Sequence, residues 1–273
     1  RALGYLAYRS AVRPESLDKL ADPKDKLPQF RQILAVTDAF KSGDFAQGEK
    51  LLKEVEASEP ELYLVPFMLG EAALRKKEWD KATTALKRAL ELNPQFDQAM
   101  TGLSRALQQQ GQSSEAREWL QRALQVNPQN FRAWYQLAWL DRERPEQAAT
   151  ALRKTLEIQP KFPLALRDLG MLEFSAKNYA KAADLLKRAI DSGMTDIQLR
   201  NYLGISYSRT GRFREAVQSY QAALKEKPDF AEAHLNLGFA YQSLRQSALA
   251  QKEYREACRL KEEFCSLTGT APN

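Results

Sequence analysis

Five prolines, Pro60, Pro94, Pro128, Pro160 and Pro228, follow one another at intervals of 34, 34, 32 and 68 residues. A spacing of this size marks a tandem array, whose units pack on their neighbours, and it sets aside folds built round one central core. Taking each proline as position 32 of a 34-residue unit gives seven repeats: 29–62, 63–96, 97–130, 131–162, 163–196, 197–230 and 231–264. Residues 1–28 read as an N-terminal anchor and linker, and 265–273 as a tail.

Side-chain size recurs in the same phase. Position 7 is mostly leucine (Leu69, Leu103, Leu137, Leu169, Leu203, Leu237), and position 8 is mostly small (Gly70, Ser104, Ala138, Gly170, Gly204, Gly238). Position 20 runs Gly48, Ala82, Ala116, Ala148, Ala182, Ala216, Ala250, and position 24 runs Leu52, Leu86, Leu120, Leu152, Leu186, Tyr220, Tyr254. The spacings 4, 7, 8, 11 and 20, 24, 27 each trace one face of a helix. Small residues let two antiparallel helices approach, and large ones fill the space between repeats. Glycine or a charged residue at position 15 ends the first helix, and proline at 32 ends the second because it lacks the next N–H. With 12 glycines and 12 prolines in 273 residues and 28% charged residues, the composition also favours helices over sandwiches or barrels. The fold class predicted is all-α.

This pattern resembles the tetratricopeptide repeat. The resemblance implies a right-handed superhelical solenoid of antiparallel helix pairs, a protein-interaction scaffold rather than an enzyme. Departures from the pattern carry their own expectations. The fourth repeat loses two residues around Arg142 to Glu146, so its turn or first helix is curtailed and the array is irregular there. Met194 replaces a proline, but Ser192 and Gly193 stop that helix anyway. No separate capping helix is expected after Phe264.

In such an array the first helices line a concave side, where positions 2, 5, 9, 12 and 13 are free of packing duty. From the third repeat onward these positions supply Arg105, Tyr135, Trp139, Arg142, Arg167, Met171, Phe174, Asn201, Ile205, Arg209, Leu235 and Phe239. Solvated faces normally carry Lys, Glu and Gln, so aromatics and arginines there point to a surface for a peptide or partner domain. For Trp139, Phe174 and Phe239 a second reading stands beside it, that of filling gaps between repeats. Some co-chaperone members of the family clamp a terminal carboxylate with Lys, Asn and Arg; only Asn201 and Arg209 resemble that set here, so a chaperone-tail receptor is not expected.

Other chemistry is thinly represented. One histidine, His234, sits at a packing position and reads as structural. The run Gly204-Ile205-Ser206-Tyr207-Ser208 lacks the final glycine of a nucleophile elbow and lies within a helix. There is no glycine-rich phosphate loop, and no catalytic residue, metal site or cofactor is expected. The net charge of +6 invites nucleic acid, yet Lys87-Arg88, Arg153-Lys154 and Lys187-Arg188 fall on outer faces among acidic residues, so nucleic acid is not the expected partner. No apolar run is long enough to span a membrane. Cys258 and Cys265 are seven residues apart and allow at most one peripheral bridge. On a continuous helix they would stand about 10 Å apart along the axis, too far to join, so free thiols are expected.

The chain opens on Arg1 rather than methionine, which reads as a piece of a longer protein. Its Leu3-Gly4-Tyr5 segment, followed by Asp22-Pro23-Lys24-Asp25-Lys26, resembles the junction of some bacterial sulfatase-type hydrolases in which a catalytic domain precedes a tetratricopeptide array. That resemblance implies an upstream domain, an accessory role for this chain, and a periplasmic or extracellular setting. It carries over no sulfatase residue.

Overall fold

The computed structural model of the chain describes residues 27–269; all but the last two residues of the expected N-terminal anchor, its junction-like segment included, lie outside them, and those two, Leu27 and Pro28, open the first helix. The described residues form 15 helices and no strand, so the chain is all-α. They divide into two compact units, one ending at Leu140 and the other beginning at Asp141.

The first unit holds α1 (Leu27–Ser42), α2 (Phe45–Ser58), α3 (Leu64–Arg75), α4 (Trp79–Leu92), α5 (Asp97–Gln109), α6 (Ser113–Val126) and α7 (Phe131–Leu140). Each helix packs on the next in sequence, and α3, α5 and α7 also stack on one another as successive first helices. The reason lies in what faces what. A Cβ placed on Gly70 would meet the Leu86 side chain at 2.6 Å, so glycine at position 8 is what lets leucine at position 24 of the partner helix seat. Ala82, Leu86, Ala89, Leu103, Ala106, Ala116, Leu120 and Ala123 are all buried in the resulting core. Ridges of large side chains thus lie in grooves left by small ones.

The second unit holds α8 (Pro145–Ile158), α9 (Pro163–Ser175), α10 (Tyr179–Asp191), α11 (Ile197–Arg209), α12 (Phe213–Glu226), α13 (Ala231–Ser243), α14 (Ser247–Leu260) and α15 (Glu263–Thr268). The same rule operates here: Gly170 faces Leu186 at 2.7 Å from a notional Cβ, and with bulkier partners Gly204 faces the Tyr220 ring and Gly238 the Tyr254 ring. Burial pushes the Tyr220 phenol up to about 12, so it stays neutral in this core. The fourth repeat's short first helix, α7, has 10 residues, and the division into two units falls directly after it.

The turns show why position 15 is selective. Gly43, Gly111 and Gly211 have φ of 84°, 79° and 76°, and Lys77, Lys177 and Arg245 are held at 60°, 62° and 59°. In each case the next residue donates its backbone N–H five residues back, as Glu78 N to Ala73 O (2.9 Å) and Asn178 N to Glu173 O (2.8 Å), which satisfies carbonyls the helix leaves open. Second helices end where the residue before proline is extended: Asn93 and Asn127 take φ −138° and −135° with ψ 93° and 91°.

Two expectations about the C-terminal end need correcting. Cys258 and Cys265 form a disulfide rather than standing as free thiols. On one unbroken helix the two sulfurs would be too far apart, but α14 stops at Leu260 and Lys261 is extended (φ −143°, ψ 110°). The chain doubles back there, bringing the two Cα atoms to 4.6 Å. The expected absence of a further helix is overturned as well, because α15, six residues long, follows that turn and is fastened to α14 by the bridge.

Adding a methyl at Gly204 drives it into a Tyr220 ring that is only 1% exposed. Gly204→Ala is expected to lower stability by about 1–2 kcal/mol in chemical denaturation, overpacking outweighing alanine's helix preference. Lys177→Gly relieves a left-handed side chain and is expected to raise stability by about 0.5–1 kcal/mol in the same assay.

Candidate interaction surface

In the first unit the first helices line a pocket of about 330 Å³. Its wall is drawn from positions that helix pairing leaves free: Thr37 and Lys41 of α1, Glu71 and Arg75 of α3, Gln98, Thr101 and Arg105 of α5, and Arg132 of α7. Asn130, buried, caps α7 by accepting from Ala133 N (3.0 Å) and donates to Asp97 Oδ2 (2.8 Å) and Thr101 Oγ1 (2.9 Å), locking α7 onto α5. Arg105 donates to both Glu71 carboxylate oxygens at 3.3 Å across neighbouring helices. Arg75 reaches the Phe40 carbonyl at 3.5 Å.

Of the residues expected on this face from sequence, Arg105 lines the pocket. Tyr135, half-buried, and Trp139, 43% exposed, lie one turn apart on α7. The contributions of the first two repeats, Glu71 and Arg75 foremost, were not among the expected residues. Their signal was present, since both occupy the same free positions 9 and 13 that singled out Arg105 and Arg209.

The second unit places the remaining expected residues as follows. Arg142 is exposed in the turn before α8, 3.5 Å from Glu143. Arg167, Met171 and Phe174 follow one another along α9, with Arg167 donating to Asp168 at 2.7 Å. Phe174 packs edge-on to Tyr202 and Tyr179, with ring centroids 5.0 and 5.5 Å away, which ties it to α11 and α10. Asn201 is buried and accepts from Asn236 Nδ2 at 3.1 Å, joining α11 to α13. Ile205 is half-buried and Arg209 exposed further along α11. Leu235 is buried on α13, and Phe239, one turn on, is 44% exposed with its ring 5.4 Å from that of Tyr254. Phe174, Asn201 and Leu235 therefore help hold helices together, and Trp139 and Phe239 present large apolar area to solvent.

No three metal-ligating side chains converge among the described residues. No described helix is long and apolar enough to cross a membrane.

Sequence-family models described as "Tetratricopeptide repeat" match residues 33–96, 73–140, 140–197 and 231–264, and one described as "TPR repeat" matches 204–244, so together they span well over half the chain. The chain belongs to the tetratricopeptide repeat family. Among curated relatives, Tetratricopeptide repeat protein 13 of Homo sapiens is 32% identical over 98 residues, covering 36% of this chain and 11% of that protein. BBSome complex member BBS4 of Bos taurus is 26% identical over 199 residues, 72% of this chain and 38% of that protein. The chain thus spans well under half the length of these relatives. A solved structure, described as YrrB, a TPR protein with an unusual peptide-binding site, superposes with a TM-score of 0.62 at 20% identity, covering 67% of this chain and 95% of that one. It shares the fold.

Within this tetratricopeptide array, His234 has the structural place that its position suggested. Its Nδ1 lies 2.6 Å from Glu253 Oε2 on α14, and its Nε2 lies 2.9 Å from the Pro228 carbonyl before α13. Both partners are acceptors, so the doubly protonated ring satisfies both. Burial lowers its pKa, but the hydrogen bond to Glu253, the Pro228 carbonyl and the charges of Glu253 and Glu256 raise it by more, and the net direction is upward. Lys252, Arg255 and Arg259 of α14 line the same hollow, and the net direction is upward in their presence. A raised folded pKa contributes stability in full below the ordinary histidine value of 6.5 and loses it as pH rises through the folded value. The thermal midpoint is accordingly expected to fall as pH is raised from about 6 to about 8, and His234→Gln to flatten that slope, as read by circular dichroism melts.

Proposed function

We propose that this chain is a non-catalytic protein-interaction module that holds a peptide or partner domain against the inner faces of its first helices. The observation that carries the reading is the pocket of the first unit, whose wall comes from the positions that helix pairing leaves unused. Trp139 and Phe239, large apolar side chains more than 40% exposed on first helices, fit the anchors of such a surface. The family supports it as well: tetratricopeptide proteins generally mediate protein–protein interaction, and YrrB is described as having a peptide-binding site. On this reading residues 29–264 act as seven repeats; Arg105, Tyr135 and Trp139 form or support a contact face in the first unit, and Arg142, Arg167, Met171, Phe174, Asn201, Ile205, Arg209, Leu235 and Phe239 one in the second.

A second reading makes the array an accessory part of a sulfatase-type hydrolase, positioning a catalytic domain upstream of Arg1. It is favoured by the junction-like segment Asp22 to Lys26 and agrees with the Cys258–Cys265 bridge, since disulfides persist in exported proteins. Whether the gene encodes a catalytic domain ahead of Arg1 separates the two.

Cross-linking and mass spectrometry with this chain as bait is expected to identify a protein partner, whose purified form then serves for titration. Trp139→Ala and Phe239→Ala are each expected to weaken that binding about tenfold or more with the melting curve in place. Unchanged affinity beside a lowered melting curve would assign both side chains to packing and remove the reading's support.

A further inference from the structure

Gly102 leaves the floor of the first unit's pocket bare. The same position in the neighbouring repeats of this unit carries a side chain: Leu34, Met68 and Gln136. A Cβ on Gly102 would stand 3.0 Å from Glu71 Oε1 and 3.3 Å from Leu86, so the missing side chain is what lets a carboxylate lie down on α5 at this point. The space is shaped for that group, and at present a group of the chain's own occupies it.

The charges around it are one-sided. Lys41, Arg75, Arg105 and Arg132 line the pocket, and Glu71 is the single acid among the lining residues. Glu71 engages Arg105, whereas no described carboxylate lies within ion-pair distance of Lys41, Arg75 or Arg132. Cations crowded into a concavity with low-dielectric walls reinforce one another's field and draw in negative charge. Phe67, Met68 and Ala72 add apolar wall beside the cations, suited to the stem of a side chain and not to a bare inorganic anion. Gln136 Oε1 is buried with no hydrogen-bond partner among the described residues, an acceptor for a peptide N–H once the side chain turns.

We propose that this pocket receives an acidic peptide segment of a partner protein, one ligand carboxylate settling over Gly102 and displacing Glu71 from Arg105. The inference rests on the interaction-module reading and gives its first unit a ligand class. Glu71 is then a built-in competitor: it keeps Arg105 oriented in the empty pocket and lowers affinity for the acid that replaces it. Arg75 and Arg132, both exposed and without a carboxylate of their own, pair with flanking acidic residues of the peptide.

The test is fluorescence anisotropy on the full chain, using a labelled dodecapeptide of Glu, Ser and Leu and two counterparts in which Gln or Lys replaces Glu. The acidic peptide alone is expected to bind, more weakly as salt is raised. Arg75→Gln combined with Arg132→Gln should weaken it about tenfold, and Glu71→Gln should tighten it about threefold, the size of a partly exposed ion pair removed. Gly102→Leu should abolish binding; because that variant can also disturb packing, the surface changes at Arg75, Arg132 and Glu71 decide the matter. Equal or better binding of the Lys peptide, indifference to the double arginine change, or weaker binding in Glu71→Gln would each overturn the proposal. So would a single-stranded oligonucleotide that competes at similar concentration, which would make the site a reader of phosphate. If the acidic peptide fails and a cross-linked partner still binds through Trp139 and Phe239, only this inference falls. If neither binds, the interaction reading falls with it.

Discussion

The structure depends on the close approach of two antiparallel helices where one of them has almost no side chain. Gly70 against Leu86, Gly170 against Leu186, Gly204 against Tyr220 and Gly238 against Tyr254 are four instances of a single contact, repeated with different bulk. Close approach raises the density of dispersion contacts between the helices and excludes water from the seam. It also fixes which face of each first helix is used up and which remains. The inner wall of the pocket in the first unit is a by-product of that allocation: Thr37, Glu71, Arg75 and Arg105 point away from the seam, so their chemistry is free to vary.

Much of this was legible in the residue order, because each packing rule is expressed as a repeated choice. The helices, their turns and the small-to-large pairing could be read from positions 8, 15, 20 and 24 without any long-range information. The placement of His234 as a packing residue was legible for the same reason. What the sequence could not show was the local end of a helix that has no punctuation. Lys261 is followed by Glu262 rather than proline, so nothing signalled the chain reversal that joins Cys258 to Cys265 and starts a further helix.

The interaction surface was legible only in part, and the reason is physical. Residue type tells what a side chain offers, but the neighbours decide whether it is available. Asn201 and Leu235 occupy positions on the first helices, yet one bonds Asn236 and the other is covered, whereas Trp139 and Phe239 keep over 40% of their surface exposed. Glu71 and Arg75 fall in the unit 63–96, ahead of the run of aromatics and arginines that marks the later units. The pocket is also made partly by what is absent at Gly102, and a glycine inside a helix carries no label saying whether it serves a neighbour or a ligand.

The extended backbone at Lys261 and the Cys258–Cys265 bridge act on the same short stretch of chain. With the sulfurs joined, α15 cannot swing away from α14 without breaking a covalent bond; with them reduced, only side-chain packing would keep it there.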